Sequence, residues 1–436
     1  MNTSHTPYRV GEWLPQDQET LNDWLRQLAA KTKQADLPLQ PSIQAFKEYI
    51  EGDASAFMLF TRMFNEQPKR HNTPVHGGDS GPEPEAIVEN YQQMLAMCNY
   101  VLSMAPEFNE TGLVGFPINA IVDRVMATES GYCAFRDPTV NTHFKRILND
   151  WGEFLKSSES VSVLNDSPTG WLSDAAMEKM AGSREAFIST FDCDPTLPHY
   201  GFSCWDDFFT RVFKPDQRPV ASPDDNNVIA NACESAPYKW ATNVQLQDTF
   251  WIKGQPYSLQ HMLNNNADYY PEFAGGTVYQ AFLSATQYHR WNSPVDGVIE
   301  MIEFVDGSYY AEAPAIGEDP AGPNESQGYI TEMATRAIIY IKADNPAIGL
   351  MAFMAVGMAE VSTCDVTVKP QQIVKKGDEL GMFHFGGSTH CLLFRKGVNL
   401  SFNFHGQELN EGQNYLLTSP IHVRSEIAKV VPTQGK

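Results

Sequence analysis

The chain has little basic charge for its length. Its 436 residues include 31 lysines and arginines against 53 aspartates and glutamates, which gives a net charge of −22. Nucleic acids and anionic membrane surfaces are bound through clusters of basic side chains. This balance argues against nucleic acid and lipid surfaces as partners, and it leaves a small zwitterionic substrate open.

Long apolar runs are also missing. The first residues, Met1–Gly11, are polar, so no secretory signal peptide is expected. The longest uncharged apolar stretch, Ala347–Ala359, is too short to span a bilayer and is expected to form a buried strand. We therefore expect a cytoplasmic protein without stable membrane insertion.

Paired metal ligands are scarce as well. The seven cysteines are odd in number and scattered, and none are spaced as CxxC, so neither a disulfide framework nor a thiolate zinc site is expected. His71 and His76 lie in Gln67–Glu85, a loop rich in proline and glycine, where solvated histidines are commoner than metal ligands. We expect no metal site. A glycine-rich phosphate loop for pyridoxal phosphate is not evident either.

The residues that are present describe an ordinary globular chain, 42% hydrophobic and 11% aromatic, long enough for two domains. Apolar residues recur at helical spacing in four segments: Leu21–Leu28, Ile43–Ile50, Ile87–Leu102 and Phe144–Leu155. Short β-rich runs follow after residue 220: Val298–Val305, Ala337–Ile341, Gly349–Val361 and Val366–Val368. We predict an α+β protein with a helical region over 1–195 and a β-rich catalytic domain over 196–436. We consider the loop Glu318–Gly328 as a candidate lid over the active site.

One short motif could carry unusual chemistry, namely Phe385-Gly386-Gly387-Ser388-Thr389. Gly387 does not shield its carbonyl with a side chain, and a glycine pair permits strained backbone. The Ser388 hydroxyl can attack that carbonyl and convert the peptide into an ester, and β-elimination then leaves dehydroalanine, which hydrolyses to a pyruvoyl group. Most such strings are only solvated turns. The neighbouring motifs decide between the two readings.

Several segments resemble one family, the pyruvoyl-dependent phosphatidylserine decarboxylases. In chain order they are Trp205–Arg211, Ser222–Asp225, Lys253–Leu259, Tyr288–Gly297 and Lys376–Gly381, which leads into the Gly-Ser-Thr motif. Each is weak alone, but together they follow the family's order. The resemblance implies self-cleavage between Gly387 and Ser388 into a large and a small chain, with a pyruvoyl cofactor derived from Ser388.

The chain resembles most closely the soluble fungal members of this family that decarboxylate L-tryptophan. The shared segments are Ala232–Ser235, Tyr288–Trp291, Ser362–Cys364 and Gly381–Ser388. This resemblance implies decarboxylation of a free L-amino acid, an aromatic one such as tryptophan, through a Schiff base on the pyruvoyl ketone.

The family's site residues carry over by position. Ser388 is the nucleophile and Gly387 supplies the carbonyl that it attacks. Asp225 matches the aspartate that orients a histidine base, and His289 matches the histidine associated with decarboxylation. Taken alone, Asp225 would be as often a surface turn, and His289 more often a structural histidine.

Asn292 departs from the family, because it stands where the processing histidine is expected. An amide cannot accept a proton at neutral pH, so cleavage should be slow or absent unless another group substitutes. His289, His384 and His390 are the nearest candidates in sequence, and Phe385, Gly386 and Thr389 could support the site. The asparagine reflects either natural divergence or a deliberate change.

Two alternatives to the amino acid decarboxylase stay open at this point. One is a phosphatidylserine decarboxylase that makes phosphatidylethanolamine at a membrane, which the acidic charge disfavours. The other is an uncleaved, non-catalytic relative with a binding role, for which Asn292 is the main support.

Overall fold

The structure is a computed structural model of the full chain. It describes residues 18–67, 87–108, 116–126, 128–248, 257–311, 327–360, 363–384, 388–413 and 418–431. The predicted loops Gln67–Glu85 and Glu318–Gly328 lie almost wholly outside the described residues. His71, His76, Phe385, Gly386 and Gly387 lie outside them as well.

The N-terminal half is helical, as predicted. Its helices are α1 (Gln18–Ala35), α2 (Pro41–Gly52), α3 (Ala54–Asn65), α4 (Tyr91–Val101), α5 (Pro117–Met126), α6 (Glu129–Ala134), α7 (Pro138–Leu155), α8 (Asp174–Ala181), α9 (Arg184–Thr190) and α10 (Trp205–Phe209), with 3-10 helices at Ser158–Val163 and Pro198–Gly201. Side-chain caps set several starts. The Asp137 carboxylate accepts from the backbone amides of Thr139 and Val140, and Pro138 occupies the first turn of α7.

Aromatic side chains form the core of this helical region and link it to the rest of the chain. The Phe46 ring lies 5.4 Å from Phe60 and 5.2 Å from Phe144, both edge to face. Phe144 also contacts Tyr310, which follows the β-rich segment 297–305, at 4.9 Å. Such pairs add to the free energy of apolar burial, so the helical region packs directly on the β-rich region.

The C-terminal half is β-rich. Its strands are β1 (Val228–Ala230), β2 (Ala236–Val244), β3 (Gln247–Asp248), β4 (Tyr257–Ser258), β5 (Gly276–Leu283), β6 (Arg290–Asn292), β7 (Gly297–Val305), β8 (Arg336–Ala343), β9 (Leu350–Gly357), β10 (Thr363–Val366), β11 (Ile373–Val374), β12 (Glu379–His384), β13 (Ser388–Phe394), β14 (Leu400–Phe402) and β15 (Glu426–Val430). Short helices α11 (Leu259–Met262), α12 (Tyr270–Phe273) and α13 (Gln327–Met333) interrupt them. The α+β class is confirmed.

A seven-stranded antiparallel sheet is the centre of this half, in the order β11-β7-β8-β9-β13-β5-β2. Strands β5 and β13 are buried at every position, which is possible only because both faces of the sheet are covered. The three longest predicted runs correspond to β7, β8 and β9. The prediction of Val366–Val368 was wrong in position: β10 ends at Val366, because its register is set by pairing with β12 and not by local β propensity.

A second sheet, β10-β12-β6, lies over one face of the large one. Trp291 joins the two layers, with its ring 5.6 Å from Phe353 on β9 and 4.8 Å from Phe383 on β12. Close approach requires glycine at 381, since a Cβ there would lie 2.7 Å from the Trp291 ring at a φ of +156°. A third sheet, β1-β15-β14, completes the domain.

A buried lysine fixes the chain just before β12. Lys376 is 5% exposed, and its ammonium donates to the carbonyl oxygens of Ser222, Asp225 and Val228 at 2.7, 2.9 and 3.1 Å. These bonds connect 222–228 to the strand that leads toward Ser388.

Replacing this lysine should loosen the whole domain. We expect Lys376→Met to lower the free energy of unfolding by about 1–3 kcal/mol, because it removes three hydrogen bonds that the buried ammonium donates. The matched control is Lys375→Met, which removes a lysine with a 66% exposed side chain and should cost far less. Urea unfolding of the two variants measures the difference, and equal midpoints would contradict this role of Lys376.

Candidate active site

Ser388 is the first residue of β13 and lies inside the large sheet. It pairs with Leu283 on β5 and with Gly357 on β9. The side chain is fully buried, and the described residues offer its hydroxyl no hydrogen-bond partner. A buried hydroxyl without a partner is costly in a folded protein. The cut site predicted from the motif therefore corresponds to an unusual serine.

Alternation along β13 places the next two residues on opposite faces. Thr389 is turned away from Ser388, accepts a hydrogen bond from Gln280 at 3.1 Å and donates to the carbonyl of Ala281 at 2.9 Å. His390 returns to the face of Ser388. Thr389 is thus fixed in place, whereas His390 is the histidine on this strand that shares a face with the serine.

His390 is a poor base despite this position. Its ring is fully buried beside Phe353 and Tyr279, at 5.9 and 6.1 Å between ring centres. Burial lowers its pKa to about 3, so the imidazole stays neutral at physiological pH. The described residues give neither ring nitrogen a hydrogen-bond partner.

His384 is also unsuited to take a proton from Ser388, for the opposite reason. Its Nδ1 lies 2.8 Å from the Asp206 carboxylate and its Nε2 lies 3.3 Å from the Asp365 carboxylate. Although burial acts to lower the pKa of His384, the hydrogen bond and charge of Asp206, helped by Asp365, raise it overall. An imidazole held by two carboxylates favours its protonated form, which has no lone pair for a base.

His289 has the arrangement that a base needs. Its Nδ1 lies 3.0 Å from the carbonyl oxygen of Gln287, and its ring stacks on Phe209 at 4.2 Å. Because a carbonyl oxygen only accepts, Nδ1 carries the proton and Nε2 is the acceptor nitrogen.

The backbone around His289 brings it to the strand end near Ser388. The amide of Phe383 on β12 donates to the His289 carbonyl at 3.0 Å, and Leu283, at the end of β5, pairs with Ser388. The His289 segment therefore connects β5, which pairs with Ser388, to β6, which pairs with the strand that leads to Ser388.

Asn292 lies at the other end of β12. It pairs with Glu379, whereas His289 lies beside Phe383, so Asn292 is farther along the ladder from Ser388. Its side-chain amide donates to the carbonyl of Gly377 at 2.8 Å, and its carbonyl oxygen has no partner among the described residues. This amide holds the start of β12.

Asp225 is not brought to a histidine in the described part of the chain. Its carboxylate accepts from the backbone and side chain of Asn227 at 3.0 Å and pairs with Lys429 at 3.1 Å. These hydrogen bonds and the Lys429 charge lower its pKa. Asn292 therefore does not meet the Asp225 segment. Its backbone N–H donates to the carbonyl of Ala232 at 2.8 Å.

Some contacts of the site could not be read from the sequence. The Arg290 guanidinium pairs with Glu379 at 2.8 Å and donates to the carbonyl of Thr210 at 2.7 Å, which fixes the strand after His289. Phe209 supplies the ring under His289. The sequence indicated only that 205–211 and 288–297 belong to family motifs. It did not predict which residues of the two segments contact each other.

Comparisons with known proteins agree with this geometry. One family model described as phosphatidylserine decarboxylase matches residues 205–417, and a second of the same description matches residues 40–180. An L-tryptophan decarboxylase of Psilocybe cubensis is 36% identical over 89% of each chain. The chain belongs to the phosphatidylserine decarboxylase family. It is thus an enzyme of the carboxy-lyase class.

Other members of the phosphatidylserine decarboxylase family show two levels of similarity. The decarboxylase iboD of Amanita muscaria is 46% identical over 66% of this chain and 86% of its own. Phosphatidylserine decarboxylase proenzyme 3 of Schizosaccharomyces pombe is 31% identical over 49% of this chain and 21% of its own. The similarity thus covers most of the first relative and a small part of the second.

Ser388 fits the pyruvoyl group that this family implies. Its hydroxyl is buried and has no competing partner among the described residues, and it starts a strand held on both sides. No helix in the described ranges is long and apolar enough to cross a membrane. The same ranges contain no group of three or more His, Cys, Asp or Glu side chains that could hold a metal ion.

Proposed function

We propose that the protein is a self-processing, pyruvoyl-dependent decarboxylase of a free aromatic L-amino acid, with tryptophan as the leading substrate. The observation that carries this proposal is the buried Ser388 hydroxyl at the start of β13, within a chain that is similar over 89% of its length to an L-tryptophan decarboxylase. A relative from Psilocybe cyanescens with the same description is 38% identical over 89% of each chain. The seven cysteines are unpaired, which supports a reducing, cytoplasmic setting.

Processing uses the chain's own groups. The Ser388 oxygen attacks the Gly387 carbonyl carbon, the peptide C–N bond breaks, and an ester forms. Loss of a Cα proton then expels the Gly387 carboxylate, and hydrolysis of the resulting dehydroalanine releases ammonia. His289 Nε2 is the acceptor for the serine proton. The products are a large chain that ends at Gly387 and a small chain that starts at residue 388.

The residues around Ser388 also set the conditions for turnover. The pyruvoyl group derived from Ser388 would supply a ketone for Schiff-base formation with the substrate amine and an electron sink for the loss of carbon dioxide. His289, after taking up a proton from solvent on Nε2, delivers that proton to the substrate carbon. Neutral His390, Phe353 and Tyr279 keep water and charge away from this face of the sheet, which strengthens electrostatic interactions within it.

Assaying purified protein with competing substrates tests the proposal. We expect tryptamine and carbon dioxide from tryptophan, and no phosphatidylethanolamine from vesicles that contain phosphatidylserine. Phenylhydrazine, which captures ketones, should abolish the activity, whereas removing pyridoxal phosphate should not. Phosphatidylethanolamine without tryptamine would assign the enzyme to the lipid substrate instead, and an uncut chain without either product would overturn the proposal.

A further inference from the structure

A buried polar cluster lies where the helical and β-rich regions meet. It consists of Glu360, Asn119 and Tyr310, whose exposed fractions are 4%, 1% and 2%. The backbone amide of Asn119, in the first turn of α5, donates to Glu360 Oε1 at 2.7 Å. Burial raises the pKa of the Tyr310 hydroxyl, and the charge of the Glu360 carboxylate adds to this effect. We call these three residues the Glu360 cluster.

Most of the side-chain polar atoms in the Glu360 cluster have no partner. The described residues offer no hydrogen bond to Glu360 Oε2, to either polar atom of the Asn119 carboxamide, or to the Tyr310 hydroxyl. Buried polar atoms without a partner destabilise a fold, and native proteins rarely keep several together. The Glu360 cluster therefore offers hydrogen-bonding atoms that a polar ligand could use.

The position of the Glu360 cluster relates it to Ser388. Glu360 lies three residues beyond Gly357, the last residue of β9, and Gly357 pairs directly with Ser388. Paired residues of antiparallel strands are about 5 Å apart, and each further residue adds at most about 3.4 Å. The Cα atom of Glu360 is thus within about 15 Å of that of Ser388, and its side chain spans part of this distance. The Glu360 cluster and Ser388 therefore lie in the same region of the domain.

We propose that Glu360 recognises the side chain of the amino acid substrate, accepting on Oε2 a hydrogen bond from an N–H group such as that of an indole. This inference rests on the proposed function, since it concerns the substrate of the same site. Asn119 and Tyr310 contribute the other unpaired polar atoms of the cluster, and the Asn119 carboxamide can both donate and accept. Aromatic amino acids without a donor on the ring leave Glu360 Oε2 unpaired and bind less well.

The electrostatics of the cluster favour a donor at this place. Burial raises the pKa of Glu360 to about 8, against the backbone amides of Asn119, Glu360 and Ile118, which lower it. A ligand N–H stabilises the ionised carboxylate, so selectivity for it should grow as the pH rises toward and past 8. Cys98 on α4, with a pKa raised to about 12, and Tyr310, with a pKa raised well above its usual range, face the same carboxylate and do not titrate there.

A structural role for Glu360 makes a different prediction. Oε1 already holds the first turn of α5, and a glutamine keeps that acceptor while presenting an NH₂ group in place of Oε2. Glu360→Gln should therefore fold but repel a ligand N–H. If Glu360 served only to hold α5, Glu360→Gln would leave substrate preference unchanged.

The test compares two substrates that differ in one group. L-Tryptophan has an indole N–H, whereas β-(3-benzothienyl)-L-alanine has sulfur in its place and almost the same shape. At pH 9, where Glu360 is ionised, we expect wild type to favour tryptophan in kcat/KM by about 10- to 100-fold, as a hydrogen bond to a charged group implies. Glu360→Gln should reduce this ratio by about 10-fold or more, mainly through KM for tryptophan. The control Glu332→Gln changes another carboxyl with a raised pKa, which accepts from the Ser258 amide, and should keep the ratio.

Binding without chemistry gives an independent readout. Indole-3-propionate and benzothiophene-3-propionate have no amine to condense, and calorimetry measures their affinities directly. The indole compound should bind more tightly to wild type, increasingly so from pH 6.5 to pH 9, and the preference should be absent and flat with pH in Glu360→Gln.

The outcomes separate this inference from the proposed function. If wild type decarboxylates tryptophan but Glu360→Gln leaves both the kcat/KM ratio and the binding preference unchanged, Glu360 does not read the side chain and only the inference falls. If wild type decarboxylates neither substrate, the proposed function falls and the inference with it. Equal loss of affinity for both compounds in Glu360→Gln would mark Glu360 as structural and also overturn the inference.

Discussion

A Ser388→Ala chain is expected to remain one polypeptide of 48.8 kDa and to form no amine from tryptophan. Alanine removes the only atom of residue 388 that can attack the Gly387 carbonyl, and without the ester there is no leaving group for the elimination that precedes the ketone. The effect should be complete, since no slower route to the same group exists at alanine. A denaturing gel and intact mass measurement check it, with wild type expected to show a small chain of residues 388–436 that begins with a pyruvoyl group.

The control for this prediction is another buried serine. Ser293 is fully buried, and its hydroxyl donates to the Val295 carbonyl at 2.7 Å, so Ser293→Ala perturbs the core without touching the cut site. This variant should still be cleaved. Cleavage at the same position in Ser388→Ala would refute the assignment of the nucleophile.

The cut site could be predicted from the sequence because its chemistry is local. Nucleophile and attacked carbonyl belong to adjacent residues, so a short motif contains both. The helices could be predicted for a similar reason. The apolar residues in 144–155 recur once per helical turn, which is a pattern contained in a short stretch of sequence. Burial of Ser388 was not accessible, because it follows from pairing with Leu283 and Gly357, which lie far away in the chain.

The groups that act on Ser388 required the tertiary structure. The motif around Asp225 matched a family pattern, yet its carboxylate pairs with Lys429, and the segment that meets Asn292 is the one at Ala232. No sequence motif distinguishes Glu360 from the other acidic residues, of which the chain has 53 in all. Its burial depends on α5, which is distant in sequence. Long-range pairing decides such contacts, and no short window of sequence contains it.

Choosing among His289, His384 and His390 also depended on tertiary contacts. His384 and His390 lie close to Ser388 in sequence, and His289 matches a histidine of the family. Only their surroundings in the structure distinguish the three. Carboxylates hold both nitrogens of His384, burial makes His390 a weak base, and the Gln287 carbonyl leaves Nε2 of His289 as an acceptor. In the absence of a histidine at 292, His289 is therefore the residue that we propose takes the serine proton.

Replacement of His289 should therefore have the largest effect on decarboxylation after that of Ser388. We expect His289→Gln to lower decarboxylation by about 10²- to 10⁴-fold, the usual contribution of a positioned acid or base. Glutamine can donate to the Gln287 carbonyl as the imidazole does and can fill much of the space beside Phe209. It cannot accept or release a proton at neutral pH. Cleavage should slow as well, so turnover is measured per pyruvoyl-containing chain, counted by mass spectrometry.

Two variants show whether the effect belongs to proton transfer at His289. His384→Gln changes a histidine of the strand leading to the cut site whose ring is held by carboxylates, and it should retain turnover within about 10-fold, below the range of a lost acid or base. Asn292→Ala removes the hydrogen bond that the Asn292 side chain donates to the Gly377 carbonyl. This variant should be less stable but should still be cleaved. If His289→Gln is cut and turns over like wild type while Asn292→Ala stays intact, the proton acceptor is at 292, and the asparagine amide would have to act through a bound water. Slower cleavage together with lower turnover per pyruvoyl-containing chain in His289→Gln, with both retained in Asn292→Ala, means that one histidine serves the cut and the decarboxylation in succession.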